Sequence, residues 1–197
     1  METHKLSKIA GIRPGYLSRG KIVPSEDGPY ALLQLKDFNE SRTHVDFTRV
    51  IRFDPGSSCE RQILNKGNVL FLGKGHKNFA FPVGEVPPST VAAGYFFVLK
   101  PDIKKFLPEF LAWYLNQSVV KKYLHKYSGR SVHIPVVSRA VLENIEVPVL
   151  PLDFQQNIVE LDRLLSEEEE LCHQLHEKRR LLLEAVCLKG PTAAVPS

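Results

Sequence analysis

The chain is poor in cysteine, and what it has is scattered. Cys59, Cys172 and Cys187 are spread over 197 residues with no C-x-x-C pair. An odd number at such spacing excludes a disulfide framework and makes a reducing cytoplasm the expected compartment. No apolar run approaches the roughly 20 residues that a membrane-crossing helix needs. The first ten residues carry charges without an apolar segment, so neither a membrane span nor a signal peptide is expected. Catalytic motifs are missing too. Pro87-Pro88 lies between Val86 and Ser89, which is not the Asn/Asp-Pro-Pro-aromatic setting of a methyltransferase. Gly73-Lys74-Gly75-His76-Lys77-Asn78 begins like a dinucleotide fingerprint but lacks the closing Gly, the helix that should follow and the Gly-Lys-Ser/Thr ending of a P-loop. Asp102-Ile103-Lys104 is half of a nuclease-like metal site with no second carboxylate in a convincing place. Cys172 and His176 share a helix face at i, i+4, but Cys172 also fits an apolar seam, where Cys acts as a small hydrophobe. No catalytic residue, metal or cofactor is expected.

What is present is a globular composition, 43% apolar and 24% charged, with 26 basic residues against 22 acidic ones. The net charge of +4 hides an asymmetry. Residues 1–150 hold 21 basic and 13 acidic side chains, a net +8, whereas residues 151–197 hold 5 and 9, a net −4. Such a division points to different partners: a polyanion for the larger part, protein for the smaller.

The first 150 residues read as an α+β, loop-rich mixed domain. Ala31–Leu35, Asn68–Leu72, Phe79–Val83 and Tyr95–Leu99 are short apolar runs bounded by Gly, Pro, Asn or Asp, the punctuation of strands. Pro108 opens a helix over Pro108–Asn116, with Phe110, Leu111, Tyr114 and Leu115 facing a core. Ser118 is placed to cap a helix at Val119–Tyr127, and Ser138 another at Arg139–Asn144.

From Pro151 the pattern changes. Residues 151–188 are expected to form one long coiled-coil-like helix, with a flexible tail at 189–197. Leu152 to Cys187 contain no Gly or Pro, and apolar residues recur in steps of four and three: Phe154, Ile158, Leu161, Leu165, Cys172, Leu175, Leu182 and Val186. Glu168 and Arg179 occupy the two intervening positions of that series. A helix of that length spans roughly 54 Å. It cannot bury its whole stripe on a 150-residue domain, so a partner helix is expected, from a second copy or from another chain.

Three basic clusters also carry hydrogen-bonding or aromatic side chains: Arg13-Pro14-Gly15-Tyr16-Leu17-Ser18-Arg19-Gly20-Lys21, the Gly-bearing stretch Lys74–Asn78, and Lys121-Lys122 through Lys126-Tyr127-Ser128-Gly129-Arg130-Ser131-Val132-His133. Lys and Arg neutralise phosphates, and Gly lets backbone approach them closely. Arg, Gln, Asn and His can read base edges. Lys21, Lys36, Lys74, Lys77 and Lys126 are assigned mainly to phosphates. Arg13, Arg19, Gln34, Asn78, Arg130 and His133 are assigned to base edges, and Tyr16 to the backbone or a base step. Double-stranded DNA is the expected ligand.

The order of several segments resembles the specificity subunit of type I restriction-modification systems. Lys5-Leu6-Ser7-Lys8-Ile9-Ala10 followed by Arg13-Pro14-Gly15-Tyr16 is similar to the start of its target-recognition domain, and Leu33-Gln34-Leu35-Lys36-Asp37 to the strand and turn that follow. Gly67-Asn68-Val69-Leu70-Phe71 with Gly73-Lys74-Gly75 resembles the family's "GDVLF…GRG" segment, with Asn68 where Asp is common. Pro108-Glu109-Phe110-Leu111-Ala112-Trp113-Tyr114-Leu115-Asn116 is similar to a family helix nearly residue for residue. Gly129 to Pro135, Ile145-Glu146-Val147-Pro148 and Pro151-Leu152-Asp153-Phe154-Gln155-Gln156 resemble the run into the family's long helix.

The resemblance implies a non-catalytic subunit whose target-recognition domain reads one half of a split DNA site. It implies a long helix that pairs with its counterpart and docks the methyltransferase (M) subunits, the motor-nuclease (R) subunits joining that core. Family subunits usually carry two such domains; one domain and one helix imply a homodimer through the helix, with two-fold symmetry and a target palindromic in its two halves. The alternatives are a helix-mediated protein-interaction module, or a truncated or orphan subunit that exchanges with or inhibits a resident specificity subunit. A stand-alone nuclease built on Asp102 and Lys104 is a further reading, for which no cleavage is expected.

Overall fold

The structure, a computed structural model, describes residues 2–18, 20–75, 77–127 and 135–188. Arg19, Arg130, His133 and the tail from residue 189 therefore lie outside the described residues.

The expected α+β architecture is present. The chain opens with strand β1 (Thr3–Lys5), a single turn α1 (Leu6–Ile9) and strand β2 (Ala10–Pro14). Strands β3 (Tyr30–Leu33), β4 (Ile51–Phe53), β5 (Val69–Leu72), β6 (Ala80–Pro82), β7 (Thr90–Ala92) and β8 (Phe96–Pro101) follow. Helices α2 (Pro108–Leu115), α3 (Ser118–Tyr127) and α4 (Arg139–Glu143), strand β9 (Glu146–Pro148) and helix α5 (Leu152–Leu188) complete it.

Four strands form a sheet in the order β2-β8-β5-β6, all antiparallel. All four residues of β5 are buried, which is why its sequence Val-Leu-Phe-Leu shows no alternation: both faces are covered. A second sheet, β4-β3-β7, pairs β3 antiparallel to β4 and parallel to β7. One core lies between the sheets around Leu33, Leu70, Leu72, Phe79, Phe96 and Val98, with Phe38 edge-on to Phe79 at 5.3 Å and to Phe81 at 5.1 Å. A smaller one gathers Leu32, Phe53, Cys59, Val91 and Ala93.

The helices follow their sequence signals. α2 starts on Pro108, where a missing N–H costs no helical bond, and buries Phe110, Leu111 and Leu115. The Ser138 hydroxyl accepts the Val141 amide at 3.3 Å and caps α4 as expected. Ser118, expected as a cap, is the first residue of α3 itself. Leu35 was expected to end a strand; it begins a 3-10 turn, Leu35–Asp37, closed by a capping box in which the Asp37 carboxylate accepts the Gln34 amide at 2.7 Å.

Strand β1 pairs with β9, bringing residues 3–5 against 146–148. The compact unit takes in the first turn of α5 and ends at Gln156. Gln155 is the buried latch of that turn. Its Oε1 accepts the Leu107 amide at 2.9 Å, and its Nε2 donates to the carbonyls of Lys105 and Leu150, both at 2.8 Å. A buried amide is tolerated here because its hydrogen bonds are made. Beyond Gln156, α5 is a unit of its own, its apolar positions exposed from Leu161 onward.

Candidate nucleic-acid interface

Three grooves on the first unit collect the basic residues. The first, of about 970 Å³, runs between the segment Arg13–Val23 and the segment Phe53–Gln62. Tyr16 forms part of its wall: its ring sits 5.0 Å from that of Phe53, and its amide donates to the Ala92 carbonyl at 2.7 Å. Gly15 makes this approach possible, because a Cβ there would lie 2.4 Å from the Ala93 carbonyl oxygen. Arg13 reaches across the groove, its two terminal nitrogens donating to the carbonyls of Gln62 (3.1 Å) and Ile63 (2.9 Å). Burial pushes its pKa down, yet a guanidinium stays cationic at any physiological pH. Arg13 thus pins the turn Glu60–Gln62 to β2. Lys21 and Arg61 line the same groove, as does one carboxylate, Asp54.

The chain Ala93-Gly94-Tyr95 leads from this groove to the second. Ala93 pairs with Tyr16, and Tyr95 lines a 600 Å³ groove with Gln34, Leu35, Lys36 and Lys74. Gln34, Lys36 and Lys74, about forty residues apart in sequence, therefore share one concave surface. The Tyr95 hydroxyl accepts the Leu35 amide at 2.8 Å and fixes the turn that carries Lys36. Burial, and the Asp37 charge nearby, hold the Tyr95 pKa up, so it remains a neutral phenol. Burial likewise raises Asp37, against the opposing pull of the Gln34 amide and of Lys36 and Arg49.

The third groove, about 530 Å³, lies on the other side of the β5–β6 loop. Lys77, Asn78, Lys121 and His125 line it together with Arg42 and Glu40. Gly75 turns this loop at φ +135° and donates its amide to the Pro135 carbonyl, while Lys74 bridges to Val136. Asn78 is directed inward, its amide nitrogen donating to the Leu72 carbonyl at 2.7 Å. The Arg42 guanidinium lies 4.8 Å from the centroid of the Phe79 ring and donates to the Lys77 carbonyl at 2.5 Å. Lys126 sits over the Tyr127 ring at 5.4 Å on α3.

Among the described residues, no carboxylate lies within ion-pair distance of Lys21, Lys36, Lys74, Lys77 or Lys121. Such cations keep their field for an outside anion. Arg42, Arg61, Lys121 and His125 add to the residues assigned from sequence. Lys121 was visible as part of a basic cluster. Arg42 and Arg61 stand alone in the sequence, and only folding brings them to a groove.

Asp102 and Lys104 have a local explanation. The Asp102 carboxylate accepts the Lys104 amide at 3.2 Å in an exposed turn between β8 and α2. No group of three His, Cys, Asp or Glu side chains able to hold a metal occurs among the described residues, and no helix among them is long and apolar enough to cross a membrane.

No family model matches the chain, and no curated protein does. Solved structures do. The type I restriction-modification S subunit from M. genitalium aligns over 95% of this chain and 45% of its own length, with TM-score 0.56 and 12% identity. The HsdS subunit from Thermoanaerobacter tengcongensis aligns over 93% and 45%, with TM-score 0.59 and 16% identity. A chain from a study of complex assembly and conformational transition of the type I R-M system aligns over 100% and 51%, with TM-score 0.67 and 14% identity. The chain has the fold of type I restriction-modification S subunits and spans about half the length of the structures it matches.

Proposed function

We propose that the chain is a DNA-recognition subunit of a type I restriction-modification system: its first unit reads double-stranded DNA and α5 serves assembly. The observation that carries this reading is the convergence of Gln34, Lys36 and Lys74 on one groove, with neither lysine in an ion pair among the described residues, in a chain with the S-subunit fold. Lys21, Lys36, Lys74, Lys77, Lys121 and Lys126 contact phosphates, and Gln34 reads a base edge. Arg42 and Arg61 join the phosphate contacts. Arg13 and Asn78 act by holding their loops, since the terminal nitrogens of Arg13 and the Nδ2 of Asn78 already donate to backbone carbonyls.

In the same reading the chain performs no chemistry. It places methyltransferase subunits, and through them motor-nuclease subunits, on a split site, and two copies joined through α5 present two identical readers. Methylation mapping in cells that express the chain with the methyltransferase of its own system tests this. A split site with identical, inverted halves is the expected result. Methylation that ignores sequence, or is unchanged when the chain is deleted, overturns it.

A further inference from the structure

Helix α5 holds two features that its heptad pattern does not explain. The seam is apolar at Leu161, Leu165, Cys172, Leu175, Leu182 and Val186, and polar at Glu168 and Arg179. Several charges elsewhere on the helix are paired along it. Arg163 bonds Glu160 and Glu167, Arg180 bonds Glu177 and Glu184, and Gln174 bonds Glu170. Glu168 and Arg179 have no such partner among the described residues, and both are exposed. The apolar positions around them are open as well: Leu165 is 51% exposed and Leu182 65%.

We propose that the occupant of this seam is a second copy of the chain, running antiparallel, in the register that sets Glu168 of each helix against Arg179 of the other. This rests on the self-pairing in the reading above and adds to it the register and the two residues that choose it. The arithmetic of the seam supports it. If Glu168 lies opposite Arg179, residue numbers in each facing pair add to the same total. Leu161 then meets Val186, Leu165 meets Leu182, and Cys172 meets Leu175. Every apolar seam position in this stretch finds an apolar partner, and the two charged interruptions cancel each other twice, once on each side of the two-fold axis. The acidic run Glu167–Glu170 also comes to lie opposite residues 177–180, which include Lys178, Arg179 and Arg180.

A parallel, in-register pair gives the opposite result. It stacks Glu168 on Glu168 and Arg179 on Arg179 inside the seam, and the acidic run on itself. Like charges so placed repel each other and weaken the pair. An antiparallel pair shifted by one heptad leaves all four charges against apolar side chains, without the partner that a buried charge requires. The polar pair therefore works as a selector: it adds little net attraction and makes the other arrangements worse.

The test measures dimer dissociation of the full chain by sedimentation equilibrium, comparing wild type, Glu168→Arg, Arg179→Glu and the variant carrying both. Each single exchange should weaken the dimer at least about tenfold, because it sets like charges together at two places. The double exchange should return affinity to within about threefold of wild type. Orientation is read independently in a Cys172→Ser background under mild oxidation. The two Cys187 residues of an antiparallel pair lie roughly 40 Å apart along the axis and cannot form a disulfide. A double variant as weak as the singles, singles as tight as wild type, a Cys187-linked dimer, or a wild-type chain that is monomeric at tens of micromolar each overturns the proposal. Salt-dependent DNA binding by such a monomer leaves the DNA-reading role standing, so the two can fail separately.

Discussion

The unit ending at Gln156 and the helix beyond it use the same kinds of residue in opposite ways. In the first unit most apolar side chains are buried, with Leu70, Phe71 and Phe110 at 0% exposure, and the lysines that line its grooves lack ion-pair partners among the described residues. In α5 from Leu161 onward the apolar side chains are exposed and several of the charges are paired along the helix. The first unit has met its need for a core and keeps its charge available. The helix has met part of its need for charge partners and keeps its apolar seam available. In the reading proposed above, that contrast separates a region with its own core, which faces a polyanion, from one whose apolar surface another helix completes.

Core truncation breaks the comparison most severely. Phe110→Ala should lower the stability of the first unit by about 3–5 kcal/mol, seen in denaturant unfolding. By contrast Leu165→Ala, which removes as characteristic a hydrophobe from α5, should leave the unfolding of the first unit within about 0.5 kcal/mol of wild type while weakening self-association. Equal effects of the two on the first unit would erase the distinction.

The next effect is at the junction. Gln155→Ala leaves the Leu107 amide and the carbonyls of Lys105 and Leu150 without their partner. The expected loss is about 1–3 kcal/mol, with hydrogen exchange accelerated at Leu107. A smaller, pH-dependent effect belongs to Asp37. Burial raises its pKa in the folded state, so the folded chain holds that proton more tightly than the unfolded chain does. Its contribution to stability therefore improves as pH falls through the folded pKa toward the ordinary Asp value. Asp37→Asn should remove that contribution from the acid side of the stability profile. An unchanged profile would place Asp37 in a more solvated setting than its burial implies.

Much of this architecture was legible in the residues, and the omissions have physical causes. Strands β3, β5, β6 and β8 stood out as apolar runs between turn residues, and α2 through its initial Pro108. α5 was visible because a 3.5-residue period without Gly or Pro runs over about ten turns, longer than a helix folded back on the domain could bury. β1, β4, β7 and β9, like β6, are three residues long, too short to display a period of two; β6 stood out only through the longer apolar run Phe79–Val83, and the others exist because a neighbouring strand pairs with them. The candidate site divides in the same way. Lys36, Lys74 and Lys77 could be found as lysines near glycine and turn residues. Arg13 and Asn78 carried the same chemical signal, yet their side chains bond the carbonyls of Gln62, Ile63 and Leu72. Residue type identifies a possible donor; only the fold shows whether a backbone acceptor has taken it. Arg42 gave no cluster signal, since its contacts with Phe79 and Lys77 are more than thirty residues away.

The central claim is that the first unit meets DNA through those unpaired cations. The most direct measurement is the affinity of the full chain for duplex DNA as a function of salt, compared with the Lys36→Ala/Lys74→Ala variant. The account predicts that log K falls linearly with log salt, and that the double variant binds more weakly to all sequences with a slope shallower by about 2. Binding that is indifferent to salt, or a double variant with the affinity and slope of wild type, would contradict it.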